Sequence, residues 1–356
     1  MGRNLLRKPL IAVCLAAFYL LYGAFPVAAH GLQRSDGSGH IQHVHPTVVR
    51  KASRFSEFSL YDSHAYPARL IKGPNRMFRF ILNMGTALGM FEPAGTVKVL
   101  PISSYYLLNT ITIDTKQNIW FTAISSSYNF PDQVGYVTPS GKLHFFSVPS
   151  LPGVLTNSSP SGITVGPDGN IWFGISENNQ IGRITAGGKI TMFTLPLNLS
   201  SPDILTRGPD GALWFTVLAG NRIGRIAPNG TITSFPLPQA STNISALTLG
   251  PDQALWFTDT RHNQIGRMTT AGVFSTFTIP TAHCEPAGIT NFGDGTLAFT
   301  EFATNKVGRI ATDGSLIQEF VVPTPHSMPA DITNAGHGVV LFTEYNTGLI
   351  GKLKLV

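Results

Sequence analysis

Short runs of alternating apolar and polar residues, each ended by a glycine- or proline-bearing turn, fill the chain from about residue 54 onward. The clearest stretch reads Gly208-Pro-Asp-Gly-Ala-Leu-Trp-Phe-Thr216, Asn221-Arg-Ile-Gly-Arg-Ile226, Ile232-Thr-Ser-Phe-Pro-Leu-Pro238. It holds four strand-like runs, Ile204–Arg207, Ala212–Thr216, Arg222–Ile226 and Thr231–Leu237, separated by Pro209-Asp-Gly211, Ala219-Gly220 and Pro228-Asn-Gly230. Asp-Gly and Asn-Gly tolerate positive φ and so close tight hairpins between antiparallel strands. Aligned on its tryptophan, the phrase recurs seven times, with anchors Phe78, Trp120, Trp172, Trp214, Trp256, Ala298 and Leu341 and spacings of 42, 52, 42, 42, 42 and 43. A unit repeated at that period stacks on its own copies, and four antiparallel strands per unit read as a propeller blade. The pattern predicts an all-β, seven-bladed β-propeller of four-stranded antiparallel blades over residues 54–356.

The last unit has three strands, ending in Leu349-Ile-Gly-Lys-Leu-Lys-Leu-Val356. Arg54-Phe-Ser-Glu-Phe-Ser-Leu60 has the character of the missing fourth strand and is expected to close the ring beside Lys352–Val356. Trp172 and its equivalents are expected to pack between blades. Gly182, Gly224, Gly266 and Gly308 would make room for that ring, and Arg183, Arg225, Arg267 and Arg309 would stack on aromatic faces.

Composition adds an address. Residues 1–29 carry a basic start (Arg3, Arg7, Lys8), an apolar stretch from Leu10 to Phe25, and Val27-Ala28-Ala29 before His30, which read as a cleaved signal peptide. Export to the exterior or periplasm is expected; an uncleaved membrane anchor is the alternative, because Leu10–Ala29 is long enough to span a bilayer. Cleavage removes three of the 25 Lys+Arg and leaves 22 against 19 Asp+Glu, too small an excess to imply nucleic acid. It also removes Cys14, leaving Cys284 with no partner for a disulfide. Residues 30–53 read as a polar linker. The mature chain is expected to be a monomer with no membrane contact.

In such a blade the loop leading into the first strand and the loop between the second and third strands share one face, where sites on rigid scaffolds usually lie. The position at the mouth of the channel is read as Ala68, Asn109, Ser161, Asp203, Ser245, Ala287 and Ala330, and the position ending the second strand as Ala123, Gly174, Val217, Asp259, Glu301 and Glu344. Asp203, Asp259, Glu301, Ser161 and Ser245 are the expected ligand contacts, for a small molecule, cyclic peptide or glycan. Glu285, Glu301 and Glu344 are candidate ligands for Mg²⁺ or Ca²⁺, and Glu344, Glu285 and His283 candidate catalytic groups. Solvated loop carboxylates are the alternative for these positions. Phosphate-binding, serine-elbow and zinc-binding motifs do not occur in the sequence.

Ser161-Gly-Ile-Thr-Val-Gly-Pro-Asp-Gly-Asn-Ile-Trp-Phe173 and Asn179-Gln-Ile-Gly-Arg-Ile184 resemble the repeat of the virginiamycin B (streptogramin) lyases, and the likeness runs over about residues 54–356. The resemblance implies a seven-bladed propeller and magnesium-dependent opening of a cyclic depsipeptide by elimination. It also implies histidines after the incoming-loop proline in blades six and seven, a glutamate before that proline in blade seven, and a tyrosine in blade one. This chain has Ala287, Ala330, Met328 and Ala68 there; Glu344 matches an acidic residue of the seventh blade. A ligand-binding or interaction module on the lyase scaffold is therefore expected, with a metal-dependent lyase or hydrolase on a cyclic depsipeptide, lactone or glycan as the alternative.

Overall fold

The computed structural model describes residues 42–355 apart from 45–47, 52–53, 61–64, 75–76, 93–96, 104, 128–129, 150–157, 219–220 and 316. The expected signal peptide and most of the expected linker lie outside the described residues.

Seven antiparallel sheets follow one another around a ring. In the fourth blade the strands run Pro202–Arg207, Leu213–Val217, Arg222–Ile226 and Ile232–Pro236, each hydrogen-bonded to the next. First strands of neighbouring blades contact one another and line the central channel. The ring closes as the alternation predicted: Phe55–Ser59 is the fourth strand of the last blade, outside Leu349–Lys354. The register puts Phe55 opposite Leu353 and Ser59 opposite Leu349, so the pairing lies nearer the start of that strand than expected. Two short strands also appear within residues 30–53. Gln42–Val44 pairs with the outermost strand of blade one, Val97–Pro101, and Val48–Lys51 with the closing strand itself.

The core is a series of seams between blades. Trp172 is fully buried and clusters with Leu205, Leu213 and Phe215 of the following blade; Trp214 and Trp256 repeat this one and two blades on. Each indole N–H donates to the aspartate of the preceding tight turn, Trp172 to Asp168 at 2.9 Å and Trp256 to Asp252 at 2.9 Å. The repeated arginine binds the same carboxylate, Arg225 Nε to Asp210 at 2.6 Å, while its guanidinium lies 6.0 Å from the Trp214 ring. Burial alone would raise the Asp210 pKa, yet the donors Trp214 and Arg225 hold it below the ordinary carboxylate range. The repeated arginine thus belongs to the scaffold.

Two expectations need correction. The third-strand glycines make room for the phenylalanine of the Trp-Phe pair rather than for the tryptophan: a Cβ at Gly182 or Gly224 would overlap the ring of Phe173 or Phe215. In blade one the anchor position belongs to Arg79, not Phe78. Phe80 lies opposite Gly89 as Phe121 lies opposite Gly135, which places Arg79 where the others carry tryptophan.

Candidate functional site

Each first strand carries an irregularity just after the mouth position, where its register against the second strand shifts. The threonine of the Trp-Phe-Thr phrase fits into it. Thr300 Oγ1 accepts the main-chain N–H of Gly288 at 2.8 Å and donates to Ala330 O of the next blade at 2.5 Å. Thr122 accepts from Thr110 N at 3.2 Å and donates to Ser161 O at 2.9 Å. Thr258 donates to Ala287 O at 2.7 Å. These hydroxyls bolt blades two, five and six to the blades that follow them, at the mouth of the channel.

Blade three departs from the pattern. The threonine position holds Gly174, where a Cβ would overlap Ser161 Oγ, and Ser161 Oγ itself donates to Pro202 O at 2.6 Å. The residue that ends the second strand there is Ile175, paired with Gln180, not Gly174 as read from the sequence. Ser161 is thus a buried inter-blade bolt. Ser245 Oγ is similarly engaged, 2.5 Å from Thr260 Oγ1, though it also lines the channel.

A channel cavity of about 220 Å³ is lined by first-strand residues of all seven blades. Its polar wall includes Arg69, Thr110, Asp203, Ser245 and Asp331. Arg69 and Asp331 adjoin across the closure seam: the Arg69 main-chain N–H donates to the Asp331 carboxylate, and Arg69 Nε donates to Asn109 O at 3.2 Å. Of the expected ligand contacts, Asp203 and Ser245 reach this cavity.

The acidic residues ending the second strands are buried rather than solvated. Asp259, Glu301 and Glu344 each close a turn with the residue three positions on. Asp259 Oδ2 lies 2.7 Å from His262 Nδ1; Glu301 Oε2 accepts from Thr304 Oγ1 at 2.8 Å; Glu344 Oε2 accepts from Thr347 Oγ1 at 3.5 Å. Burial pushes the Glu301 carboxyl up to about 7, opposed by Thr304 and helped by the nearby Glu319 charge. Lys306 neutralises Glu319, its Nζ 2.9 Å from Glu319 Oε2. Burial and Glu301 together raise the Cys284 thiol far above its ordinary range, so the sulfur stays protonated.

His283 is exposed and Glu285 half-buried, both with left-handed φ (53° and 49°), in the loop leading into blade six. No three His, Cys, Asp or Glu side chains among the described residues are grouped so as to hold a metal ion. Glu285, Glu301 and Glu344 therefore do not converge into the cation site their sequence positions suggested. Glu285 and Glu301 belong to blade six and Glu344 to blade seven, and the strand-end carboxylates Glu301 and Glu344 turn toward their own loops. His262 is not among the expected site residues: it lies outside the mouth and strand-end positions, three residues beyond Asp259. The i, i+3 spacing of Asp259 and His262 was the available signal.

A repeated asparagine joins the two loops of this face. Asn263 has φ 56°, donates through Nδ2 to Ile279 O and Thr281 O, and accepts Cys284 N–H at 2.7 Å; Asn305 does the same one blade on. No helix among the described residues is long and apolar enough to cross a membrane.

The family described as the Virginiamycin B lyase family matches residues 154–355. No curated protein matches the chain. Among solved structures, the selenomethionine-substituted virginiamycin B lyase of Staphylococcus aureus superposes with a TM-score of 0.77 at 32% identity, over 85% of this chain and 99% of that one. A catalytically inactive histidine-to-alanine variant of virginiamycin B lyase from the same organism, solved with quinupristin, gives the same values. A streptogramin B lyase superposes at 0.76 and 32% identity, over 85% of this chain and 97% of that one. With a family match over more than half its length and a virginiamycin B lyase 32% identical to it that it covers to 99%, the chain belongs to the virginiamycin B lyase family.

Proposed function

We propose that this chain is an exported ligand-binding propeller that retains the lyase scaffold but does not linearise streptogramin B antibiotics. One observation carries this conclusion: the mouth positions of blades six and seven, where the family resemblance implies histidines, are Ala287 and Ala330. A methyl group neither takes nor gives a proton, and loss of a positioned acid or base costs on the order of 10²–10⁴ in rate. The histidine-to-alanine variant of the S. aureus enzyme is catalytically inactive, which supports the same conclusion for a chain carrying alanine at the two positions where the resemblance implies histidines. No group of carboxylates among the described residues fits a resident Mg²⁺ or Ca²⁺, so no step is assigned to a metal.

The ligand, a small molecule, cyclic peptide or glycan, would lie over the channel mouth, against Arg69, Asp203 and Ser245. The leader at residues 1–29 supports export, with a mature N-terminus at His30 that intact mass would reveal. Incubation with quinupristin and Mg²⁺, followed by chromatography with mass detection, tests the main claim; separation is needed because elimination opens the ring without changing its mass. No ring opening is expected. Turnover at the rate of a family lyase, lost in Glu344→Gln, would overturn the proposal.

A further inference from the structure

The turn after the second strand is built alike in blades five, six and seven, with a buried carboxylate tied to the third residue beyond it. A threonine hydroxyl does this in blades six and seven. Blade five uses an imidazole, which has a second nitrogen to offer. Asp259 is held from three sides: its Oδ2 by His262 Nδ1, and its Oδ1 by the main-chain N–H groups of Asn243 and His262, each at 3.3 Å. The Asp259 side chain is 4% exposed and the His262 ring 28%. A carboxylate that accepts a hydrogen bond from this ring accepts it from Nδ1–H, and in that tautomer the lone pair is on Nε2. A carboxylate fixing tautomer and orientation in this way is the arrangement that makes an imidazole an effective base.

The pair stands at the junction of blades five and six. Thr260, between Asp259 and His262 in sequence, donates through Oγ1 to Pro286 O at 3.0 Å, immediately before Ala287. Nucleophiles nearby are committed elsewhere: Ser245 Oγ is engaged with Thr260, and Cys284 is a fully buried thiol. A base without an adjacent nucleophile acts on water or on a proton of the ligand itself.

We propose that His262 is a general base on the ligand face, positioned by Asp259, and that it activates water for hydrolysis of a small carboxylic ester or lactone held across blades five and six. Nε2 takes a proton from water as the water oxygen bonds to the acyl carbon. The tetrahedral intermediate then breaks its bond to the alkoxy oxygen, and the imidazolium returns the proton to that oxygen, giving an alcohol and a carboxylic acid. One imidazole serving both steps suits an ester, because an alkoxide leaves far more readily than an amide nitrogen. The inference rests on the reading of this face as the ligand face, but its test needs no antibiotic, so the two stand or fall separately.

The test is hydrolysis of p-nitrophenyl acetate and γ-butyrolactone by the mature protein with no added metal. His262→Thr installs the residue that closes the same turn in blades six and seven, so folding is expected to survive while kcat/KM falls about 10²-fold or more. Asp259→Asn is expected to lower kcat with little change in KM, a split that a purely structural aspartate would not produce. His326→Gln, an exposed histidine in the loop leading into blade seven, is expected to leave the rate unchanged. Wild-type turnover no faster than that of His262→Thr, including no turnover at all, would overturn the proposal.

Discussion

Glu301 is a carboxylate whose surroundings change its chemistry. Its carboxyl rises from an ordinary 4.5 to about 7 because burial disfavours the charged form. In the unfolded chain the group regains its ordinary value, so between about 4.5 and 7 the folded state holds a proton that the unfolded state has released. Stability from this residue is therefore present in acid and lost as pH rises through 7, by up to on the order of 3 kcal/mol. Glu301→Gln keeps the shape without the charge. It should melt higher than wild type at pH 8 and about level with it near pH 4.5, as read by thermal unfolding across that range. The carboxylate itself was legible in the repeat register; its burial was not, because a residue ending a strand reads as exposed until the loop above it is known. For His262 the i, i+3 spacing from Asp259 is a weak signal, and only the turn folded back on Asp259 establishes the pairing.

Between blades, the threonine bolt is the element that deserves the closest test. Thr300→Val preserves volume and branching but leaves Gly288 N–H and Ala330 O without their partner. A buried N–H and a half-buried carbonyl stranded together should cost roughly 2–4 kcal/mol in chemical denaturation, with the unfolding slope unchanged. A strand-forming threonine after Trp-Phe looks unremarkable in the sequence. Its task depends on a carbonyl in the following blade and on an irregularity in its own, and neither is written in residue type. Blade three shows the converse: Gly174 reads as a weak point, and only the overlap a Cβ would make with Ser161 Oγ explains it. The blades and their turns, by contrast, were legible at once, because alternation, Asp-Gly hairpins and the tryptophan period all state the same answer locally.

For the whole molecule, closure separates two contributions. A chain starting at Arg54 loses Gln42–Val44 and Val48–Lys51 from the outer edges of blades one and seven but keeps the closing strand. A chain starting at residue 61 also loses Phe55–Ser59, which buries Phe55 against Phe342 and lets Glu57 accept both Thr324 N–H at 2.9 Å and Thr324 Oγ1–H at 2.8 Å. Calorimetry should show a small drop in Tm for the first and a large drop, or aggregation, for the second; equal melting would deny the closing strand its energetic role. The closing strand also has a bearing on the order of assembly. Blades one to six can pair strands as neighbours emerge, but Phe55–Ser59 finds Leu349–Lys354 only when the chain is complete. The segment synthesised first among the blade strands is thus the last to be used, and joining distant partners is slow because loop-closure entropy opposes it. Until then the polypeptide keeps an open edge at each end, a state well suited to being threaded through a translocation channel and poorly suited to lingering in a crowded compartment.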